Sequence, residues 1–294
     1  MSFATAEIAS QPEMWTRAAA MATDAAVRGA LPADGERVAI VGCGTSYNVA
    51  QACAALRERS GRGETDAFAA SEFPHGRKYD RVVAVCRSGT TTEMTDLVGA
   101  VAANTRTTVL STAADLPVPR LAQNIITLGF ADEQSVVQTR FATSVVALWR
   151  AYLGEDLSQV LADANAELAT PAPSAFAEQY TFLGTGWTIG LAHEAALKLR
   201  EAAQLWTESY AAMEYRHGPI SIADQRSSVW VFGPAPDGLA AQIIATGAKL
   251  ETTSVDPLAL LVRAQRIAVA IAEAKGLDPD TPRALTRAVI LDEA

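Results

Sequence analysis

The chain has 294 residues, 49% of them hydrophobic and 19% charged, so it can bury a sizeable core and is not intrinsically disordered. Its formal net charge of -9 argues against a nucleic-acid partner, because a phosphate backbone attracts concentrated Lys and Arg. Three cysteines, no signal-peptide pattern and no long uncharged apolar run predict a cytoplasmic protein without disulfides or a membrane span. The three histidines lack paired ligand spacing, so we expect no metal site and no cofactor.

The first half of the chain reads as helix followed by alternating strands and helices. Residues 1–30 are expected to form an N-terminal helical segment, and residues 31–165 a first domain. The first β-branched run of that domain ends at a Gly-x-Gly turn, after which an Ala-rich helical stretch begins. The predicted strands of this half are Arg37–Val41, Val82–Cys86, Thr107–Ser111 and Asn124–Leu128.

The second half repeats the pattern of strand, Gly-x-Gly turn and helix. Proline and small residues between Glu167 and Ser174 predict a boundary, followed by a shorter second domain over residues 175–294. Apolar strands that alternate with helices predict parallel α/β sheets, and the recurrence predicts a duplicated unit. The predicted elements here are strand Tyr180–Leu183, helix Ile189–Ala202, strand Ser228–Phe232, a short strand near Leu250–Thr253 and the amphipathic stretch Pro257–Lys275.

Two turns of the first half carry hydroxyl groups. The run Arg87–Glu93 offers serine and threonine hydroxyls, backbone N–H groups and a helix N-terminus, which together favour an anion. Arg87 can add a forked cationic donor. The alternative is that Thr91 or Thr92 merely caps the helix. The turn Gly42–Ser46 follows another strand, and ligands of open α/β sheets bind at the carboxyl ends of strands.

The second half carries candidates for proton transfer. Glu194, Lys198 and Glu201 have the spacing that places them on one face of a helix. They form either an exposed salt-bridge stripe or a carboxylate that moves a proton between sugar carbons. His217, ahead of Gly218-Pro219, suits ring opening because histidine titrates near neutrality, although a surface role is equally open. By contrast, His75 reads as a loop residue and His193 as a structural helix residue.

Together these motifs resemble the sugar isomerase (SIS) domain family in its tandem form, similar to the isomerase domain of glucosamine-6-phosphate synthases. The resemblance implies two flavodoxin-like three-layer αβα domains with parallel sheets, related by a pseudo-two-fold duplication. It also implies a sugar phosphate substrate and a homodimer with the site shared between subunits. The motifs are Gly42–Asn48, Ala70–Phe73, Ser88-Gly89-x-Thr91, Glu194-x-Ala196-Leu197-Lys198-Leu199-x-Glu201, Tyr210-Ala211-Ala212-x-Glu214-x-x-His217-Gly218-Pro219 and Pro282-Arg283-x-Leu285.

The resemblance assigns roles to individual residues. Glu201 matches the carboxylate that moves the proton between C1 and C2, Lys198 is its neighbour, and His217 matches a ring-opening histidine from the partner subunit. Arg87 stands in place of a glutamine, and Cys86 in place of a phosphate-contacting serine. The positions that it assigns to substrate binding are Thr45, Ser46, Arg87, Ser88, Gly89, Thr91, Gln138 and Arg287.

Departures from the family pattern keep the reaction open. A glutaminase domain with its N-terminal cysteine is not expected, so glutamine would not supply ammonia. Arg287 stands where the synthases have an imine-forming lysine, and a guanidinium is a poor nucleophile, although it can bind a phosphate or carboxylate. The alternatives are aldose–ketose isomerisation, deamination of an amino-sugar phosphate, deglycation of a fructosamine phosphate and non-catalytic binding by a regulator.

Overall fold

Buried β-branched segments form the strands of two parallel sheets in the computed structural model, which describes residues 2–171 and 176–291. The strands are β1 Val38–Gly42, β2 Thr65–Ala69, β3 Arg81–Val85, β4 Arg106–Ser111, β5 Asn124–Thr127, β6 Gln179–Gly184, β7 Thr207–Ala211, β8 Ser227–Phe232 and β9 Lys249–Glu251. The α-helices are α1 Phe3–Ala9, α2 Gln11–Met21, α3 Ala25–Ala30, α4 Thr45–Arg59, α5 Thr92–Val101, α6 Pro117–Arg120, α7 Arg140–Tyr152, α8 Ser158–Ala169, α9 Thr188–Ala203, α10 Leu239–Ala245 and α11 Pro257–Ala274. Four short 3-10 turns complete them, Ala70–Glu72, Gly129–Ala131, Glu214–Arg216 and Pro219–Ile222.

The first sheet has five parallel strands in the order β2-β1-β3-β4-β5. This order is that of flavodoxin-like folds. The chain moves in opposite directions after β1 and after β3, so right-handed crossovers place α4 and α5 on opposite faces of the sheet. Accordingly, α4 packs with α7, and α5 packs with α6. The central strands β1 and β3 are buried throughout, which is why their apolar runs could be predicted.

The second sheet repeats this order with one strand fewer. Its four parallel strands run β7-β6-β8-β9, and the register pairs Tyr180 with both Thr207 and Ser228. The predicted α/β class with parallel sheets is confirmed, as are the strand–glycine–helix repeats. The edge strands β2 and β7 were not predicted. The pseudo-two-fold relation between the two halves stays a prediction.

One glycine ends the first strand of each sheet for the same steric reason. A Cβ on Gly42 would lie 2.5 Å from the backbone of Ser46, and one on Gly184 would overlap the backbone of Thr188. Each helix therefore starts directly against the strand that precedes it, an approach that only glycine permits. This shared constraint explains the recurrence of the Gly-x-Gly pattern.

The compact units of the fold differ from the predicted domains. The N-terminal unit comprises residues 10–157 and 286–291, and the C-terminal unit comprises residues 2–9 and 158–285. Helix α1 belongs to the C-terminal unit because the backbone N–H groups of Phe3 and Ala4 donate to Asp280 (2.8 and 2.7 Å). Helix α8 joins the same unit because it packs on α11, and Arg263 Nε donates to Glu167 Oε2 (2.7 Å).

The predicted limits at residues 30, 165 and 175 therefore do not coincide with the limits of these units. Part of the predicted linker, residues 172–175, lies outside the described residues. Across the described ranges, 2–171 and 176–291, no helix is both long and apolar enough to span a bilayer.

Candidate functional site

The turn between β3 and α5 presents hydroxyl groups toward one another. Ser88 Oγ lies 3.2 Å from Thr91 Oγ1 and accepts a hydrogen bond from the backbone N–H of Thr90 (3.3 Å). Gly89 has φ +63, and a Cβ there would lie 2.6 Å from the Leu116 side chain, so glycine is needed. Cys86 Sγ, at the predicted serine position, contacts Ser88 Oγ at 3.8 Å.

The capping interpretation of this turn is wrong. Thr91 is the N-cap residue of α5, but its side chain makes no capping hydrogen bond. The Thr92 hydroxyl instead accepts from the backbone N–H of Leu291 (2.9 Å). The hydroxyls of Ser88 and Thr91 therefore contact each other within the turn and do not cap α5.

The second hydroxyl-bearing turn lies beside the first. Gly44, with φ +54, leads into Thr45 and Ser46, the first residues of α4, and both side chains are buried. Because β1 and β3 are hydrogen-bonded neighbours, their carboxyl ends and the starts of α4 and α5 meet at one edge of the sheet. This is the point at which the strand order reverses, where open α/β sheets bind ligands. The structure thus brings together Thr45, Ser46, Ser88, Gly89 and Thr91.

Arg87 does not extend from this edge as a phosphate donor, contrary to its predicted role. Its side chain is 1% exposed and donates to the carbonyls of Ser135 (3.0 Å), Val136 (3.2 Å) and Arg287 (3.2 Å). Glu133 Oε2 lies 3.7 Å from its Nη1 atom. A buried guanidinium needs acceptors for its N–H groups, and three main-chain carbonyls act as acceptors for Nη1 and Nη2 here. Arg87 thus fixes the chain around the turn.

Glu133 is a residue that the sequence interpretation missed. Its carboxylate is buried and accepts from the backbone N–H groups of Thr139 (2.5 Å) and Arg140 (2.8 Å) and from the Thr139 hydroxyl (2.8 Å). It thereby satisfies donors at the start of α7, where a negative charge is favoured. An acidic residue shortly before the apolar stretch that forms α7 was the signal that could have identified it.

Gln138 lies in the segment that Glu133 organises. Its side-chain oxygen is buried and has no hydrogen-bond partner among the described residues. Buried polar atoms nearly always have a hydrogen-bond partner, so the partner of this oxygen is expected to be a ligand or a solvent molecule. Gln138 therefore stays a candidate for substrate binding, as predicted.

The C-terminal tail is attached to the N-terminal unit. Arg287 donates to the Asp132 carboxylate and to the Glu133 carbonyl, and the Val289 carbonyl accepts from the backbone N–H of Thr92 (3.1 Å). The Arg287 side chain is 40% exposed and is paired with protein groups. The structure therefore gives Arg287 a protein partner at the position where a ligand contact was predicted.

The C-terminal unit buries a row of charged groups in α9. Lys198 Nζ lies 3.1 Å from Glu194 Oε1 and 2.6 Å from Glu201 Oε2. The side chains of Lys198 and Glu194 are 1% and 2% exposed, whereas that of Glu201 is 19% exposed. The interpretation as an exposed salt-bridge stripe is therefore wrong. A buried row of this kind is weak evidence for stability, because desolvation opposes the Coulomb attraction.

The charge state of Lys198 follows from these contacts. Burial alone lowers the pKa of Lys198, but the negative charges of Glu194 and Glu201 outweigh burial, so the pKa lies above its ordinary value. The two carboxylates therefore favour the charged form of Lys198, whose Nζ lies 2.6 Å from Glu201 Oε2. Of the three groups, Glu201 has the most open side chain and is the one that can meet a ligand.

His217 lies outside α9, at the end of the Glu214–Arg216 turn. Its side chain is exposed, and its backbone N–H donates to the Glu214 carbonyl (2.9 Å). His193, in contrast, is half-buried, with Nδ1 2.8 Å from Ser209 Oγ. Burial, helped by the positive charge of Arg200, lowers the pKa of His193. His75 is exposed and packs edge-on against Phe73, with ring centroids 5.4 Å apart.

The chain is similar in sequence to known aminosugar enzymes, although no family model matches it. It is 25% identical to glutamine–fructose-6-phosphate aminotransferase (isomerizing) from Methanothermobacter thermautotrophicus, over 87% of this chain and 52% of the relative. The enzyme of that name from Sulfolobus acidocaldarius is 27% identical, over 87% of this chain and 50% of the relative. The chain thus spans about half the length of the curated relatives it matches.

Solved structures of phosphosugar proteins share its fold. The C-terminal domain of glucosamine-fructose-6-phosphate aminotransferase from Francisella tularensis superposes with TM-score 0.81 at 19% identity, covering 96% of this chain and 98% of that one. Tagatose-6-phosphate ketose/aldose isomerase from Escherichia coli gives TM-score 0.79 at 19% identity, over 99% and 96%. Glucosamine-6-phosphate deaminase from Thermotoga maritima gives 0.78 at 22% identity, over 98% and 100%.

Proposed function

We propose that the chain is a sugar isomerase family enzyme that opens a hexose or hexosamine 6-phosphate and transfers a proton between C1 and C2. The observation that carries this proposal is the Glu201 carboxylate, held at 2.6 Å by a lysine that is itself buried against Glu194. A carboxylate fixed by a buried ammonium group is oriented for proton transfer. The sequence relatives, which are named as isomerizing fructose-6-phosphate enzymes, support the substrate class.

Phosphate binding is assigned to the N-terminal unit. The hydroxyls of Ser46, Ser88 and Thr91 and the N-terminus of α5 lie at the reversal point of the first sheet and supply neutral donors. These donors suit the net charge of -9, because an acidic protein must hold an anion through a local pocket. Gln138, with its unpaired side-chain oxygen, is assigned to a sugar hydroxyl.

The proton steps are assigned to the C-terminal unit. His217 gives a proton to the ring oxygen as the anomeric hydroxyl loses one, which opens the ring to the aldehyde or ketone. From the open aldose, Glu201 takes the proton on C2, the electron pair forms the C1=C2 bond of an enediolate with its negative charge on O1, and a proton passes from O2 to O1. Returning the proton from Glu201 to C1 then completes the ketose. With a 2-amino sugar the same transfer gives an imine, which water hydrolyses with release of ammonia.

Arg287 excludes a mechanism in which the residue at this position forms an imine with the ketose. A guanidinium remains protonated, so it does not form the imine that a lysine forms with a ketose. Its pairing with Asp132 fits a role in fastening the tail. A homodimer in which His217 serves the partner subunit, and a cytoplasmic location, remain part of the proposal.

The test is a Glu201→Gln variant, compared with Glu178→Gln, whose carboxylate is 73% exposed, as the matched control. Glucose, fructose, glucosamine and fructosamine 6-phosphates are incubated in D2O, and exchange at the carbons is followed by NMR together with ammonia release. We expect Glu201→Gln to lower exchange by roughly 1,000-fold, while calorimetry shows sugar phosphate affinity within a few-fold of the wild type.

Each possible result of this experiment identifies one of the alternative functions. Ammonia from an amino sugar identifies a deaminase, and release of an amine from fructosamine phosphate identifies a deglycase. Tight binding of a sugar phosphate without any exchange in the wild-type protein would identify a non-catalytic regulator. Failure of every sugar phosphate to bind would contradict the proposal as a whole.

A further inference from the structure

Arg216, the residue before His217, is held at three points. Its Nε donates to Gln242 Oε1 (2.7 Å), its Nη2 to the Asp237 carbonyl (2.5 Å), and its Nη1 lies 3.1 Å from Met213 Sδ. Gln242 lies in α10, and Asp237 lies in the segment between β8 and α10. One guanidinium therefore joins the turn that carries His217 to a separate part of the C-terminal unit.

The same turn is anchored on its other side by Tyr215. This side chain is 0% exposed and belongs to a buried cluster with Leu183, Val231 and Leu239. Its ring centroid lies 6.1 Å from that of Tyr210 in β7. Tyr215 inserts into the core and Arg216 reaches across to α10, so two consecutive residues fix the backbone from which His217 projects.

His217 itself contributes little to its own placement. Its backbone N–H is bonded to the Glu214 carbonyl at 2.9 Å, whereas its side chain is exposed. The next residue is Gly218, with φ +133, a conformation that L side chains rarely adopt. The position of the imidazole is therefore set mainly by the residues that precede it.

We infer that Arg216 is a positioning residue for His217, holding the imidazole where it can serve ring opening. This inference rests on the proposed function. The partners of Arg216 are a carbonyl oxygen, an amide oxygen and a thioether, and none of them is charged. These contacts therefore depend on the planar geometry of the guanidinium more than on its charge. A lysine at this position would keep the positive charge but could not meet separate acceptors in the same plane.

The test uses two substrates that differ in one oxygen, the C5 oxygen, and therefore in the need for ring opening. Fructose 6-phosphate is cyclic, whereas 5-deoxyfructose 6-phosphate stays open because it lacks the furanose oxygen and its O6 carries the phosphate. We expect Arg216→Met to lower kcat on fructose 6-phosphate by roughly 30-fold, since small displacements of a catalytic group have effects of this size. Turnover of the open analogue should stay within about two-fold, because it bypasses the step that His217 serves.

The variants are chosen to separate geometry from charge and from general damage. Arg216→Lys should recover only a minor part of the loss. Gln242→Ala removes one acceptor from the far side and should give a smaller loss with the same substrate preference. Arg226→Met is the control, because Arg226 is 63% exposed and pairs with Asp224 (2.6 Å), and it should leave both rates unchanged.

Equal losses on the two substrates, or no loss on fructose 6-phosphate, would overturn the inference. His217→Gln distinguishes this failure from failure of the proposed function, because an active His217 predicts the same preference for the open analogue with a larger loss. A second measurement needs no turnover at all. Hydrogen–deuterium exchange at the His217 amide should be about 10-fold faster in Arg216→Met and unchanged in Arg226→Met, and an unchanged rate in Arg216→Met would also refute the inference.

Discussion

The two sheets share a strand order and a glycine at the end of their first strand, but the polar groups at their carboxyl ends differ. In the N-terminal unit, Ser88 and Thr91 share a turn in which their hydroxyls face each other at 3.2 Å. In the C-terminal unit, Thr188, whose backbone abuts Gly184 as that of Ser46 abuts Gly42, donates to the Phe232 carbonyl (2.7 Å) and accepts from the Thr185 N–H (2.8 Å). The turn after β8 reads Gly233-Pro234-Ala235-Pro236 and carries no hydroxyl at all.

This difference distinguishes the turn that is proposed to bind a ligand from a turn whose hydroxyl bonds to the protein itself. A hydroxyl that bridges the ends of β6 and β8 has its hydrogen bonds satisfied within the protein. Its counterpart in the N-terminal unit by position is Ser46, which is buried in the first turn of α4. The C-terminal unit instead places its polar groups in the middle of α9, where charge is buried. The two units thus carry different polar groups on sheets that share one strand order.

The largest expected effect concerns the buried charges of α9. Lys198→Met should lower the free energy of unfolding by about 3–5 kcal/mol, because the Glu194 carboxylate would be left buried without its cation. Urea denaturation measures this loss. Lys249→Met is the control, since Lys249 is 73% exposed, and it should change the free energy by less than about 1 kcal/mol. A loss no larger than that of the control would show that the α9 carboxylates find other partners.

The hydroxyls of the two units should respond in opposite ways. Ser88→Ala should weaken binding of a sugar 6-phosphate by about 10-fold with little change in stability, because a hydrogen bond to a charged group is lost. Thr188→Val keeps the shape of the side chain and should lower the free energy of unfolding by about 1 kcal/mol, without affecting affinity. Calorimetry and denaturation are run on both variants. Comparable loss of affinity in the two would contradict the assignment of phosphate to the N-terminal unit.

The smallest effect concerns pH and His193. Its pKa is lowered in the folded chain, so below the ordinary value of 6.5 the unfolded chain binds the proton more readily. The contribution of this group to stability is therefore intact above pH 6.5 and is lost as the pH falls through the folded pKa. His193→Gln should reduce the drop in unfolding free energy between pH 7 and pH 5. His75→Gln, at an exposed histidine, is the control, and an equal drop in both variants would refute the assignment.

The sequence allowed the central strands and the glycine turns to be predicted for physical reasons. Strands β1, β3, β6 and β8 are buried almost throughout, so their apolar runs are continuous. Strands β2 and β7 lie at sheet edges and are half-buried after their first residue, so Thr65–Ala69 and Thr207–Ala211 have no such run. Gly42 and Gly184 were visible because their steric role admits no other residue.

The sequence allowed the types of residue in the site to be predicted, but not their burial or their contacts. Helical spacing placed Glu194, Lys198 and Glu201 on one face, but it could not show that tertiary packing buries Glu194 and Lys198 almost completely. Likewise, Arg87 follows a strand as an anion-binding residue would. Its actual partners, the carbonyls of Ser135 and Val136, are 48 and 49 residues away along the chain. Contacts at such separation depend on tertiary structure, which local pattern does not encode.

Neither unit is one continuous stretch of chain. Residues 286–291 return to the unit formed by residues 10–157, and there Val289 and Leu291 bond to Thr92 at the first turn of α5. During synthesis on the ribosome, α5 therefore cannot form its contacts with Val289 and Leu291 until nearly the whole polypeptide has been made. A gene fragment that stops at Leu157 would encode the hydroxyl-lined turns but omit the strand of backbone that secures them.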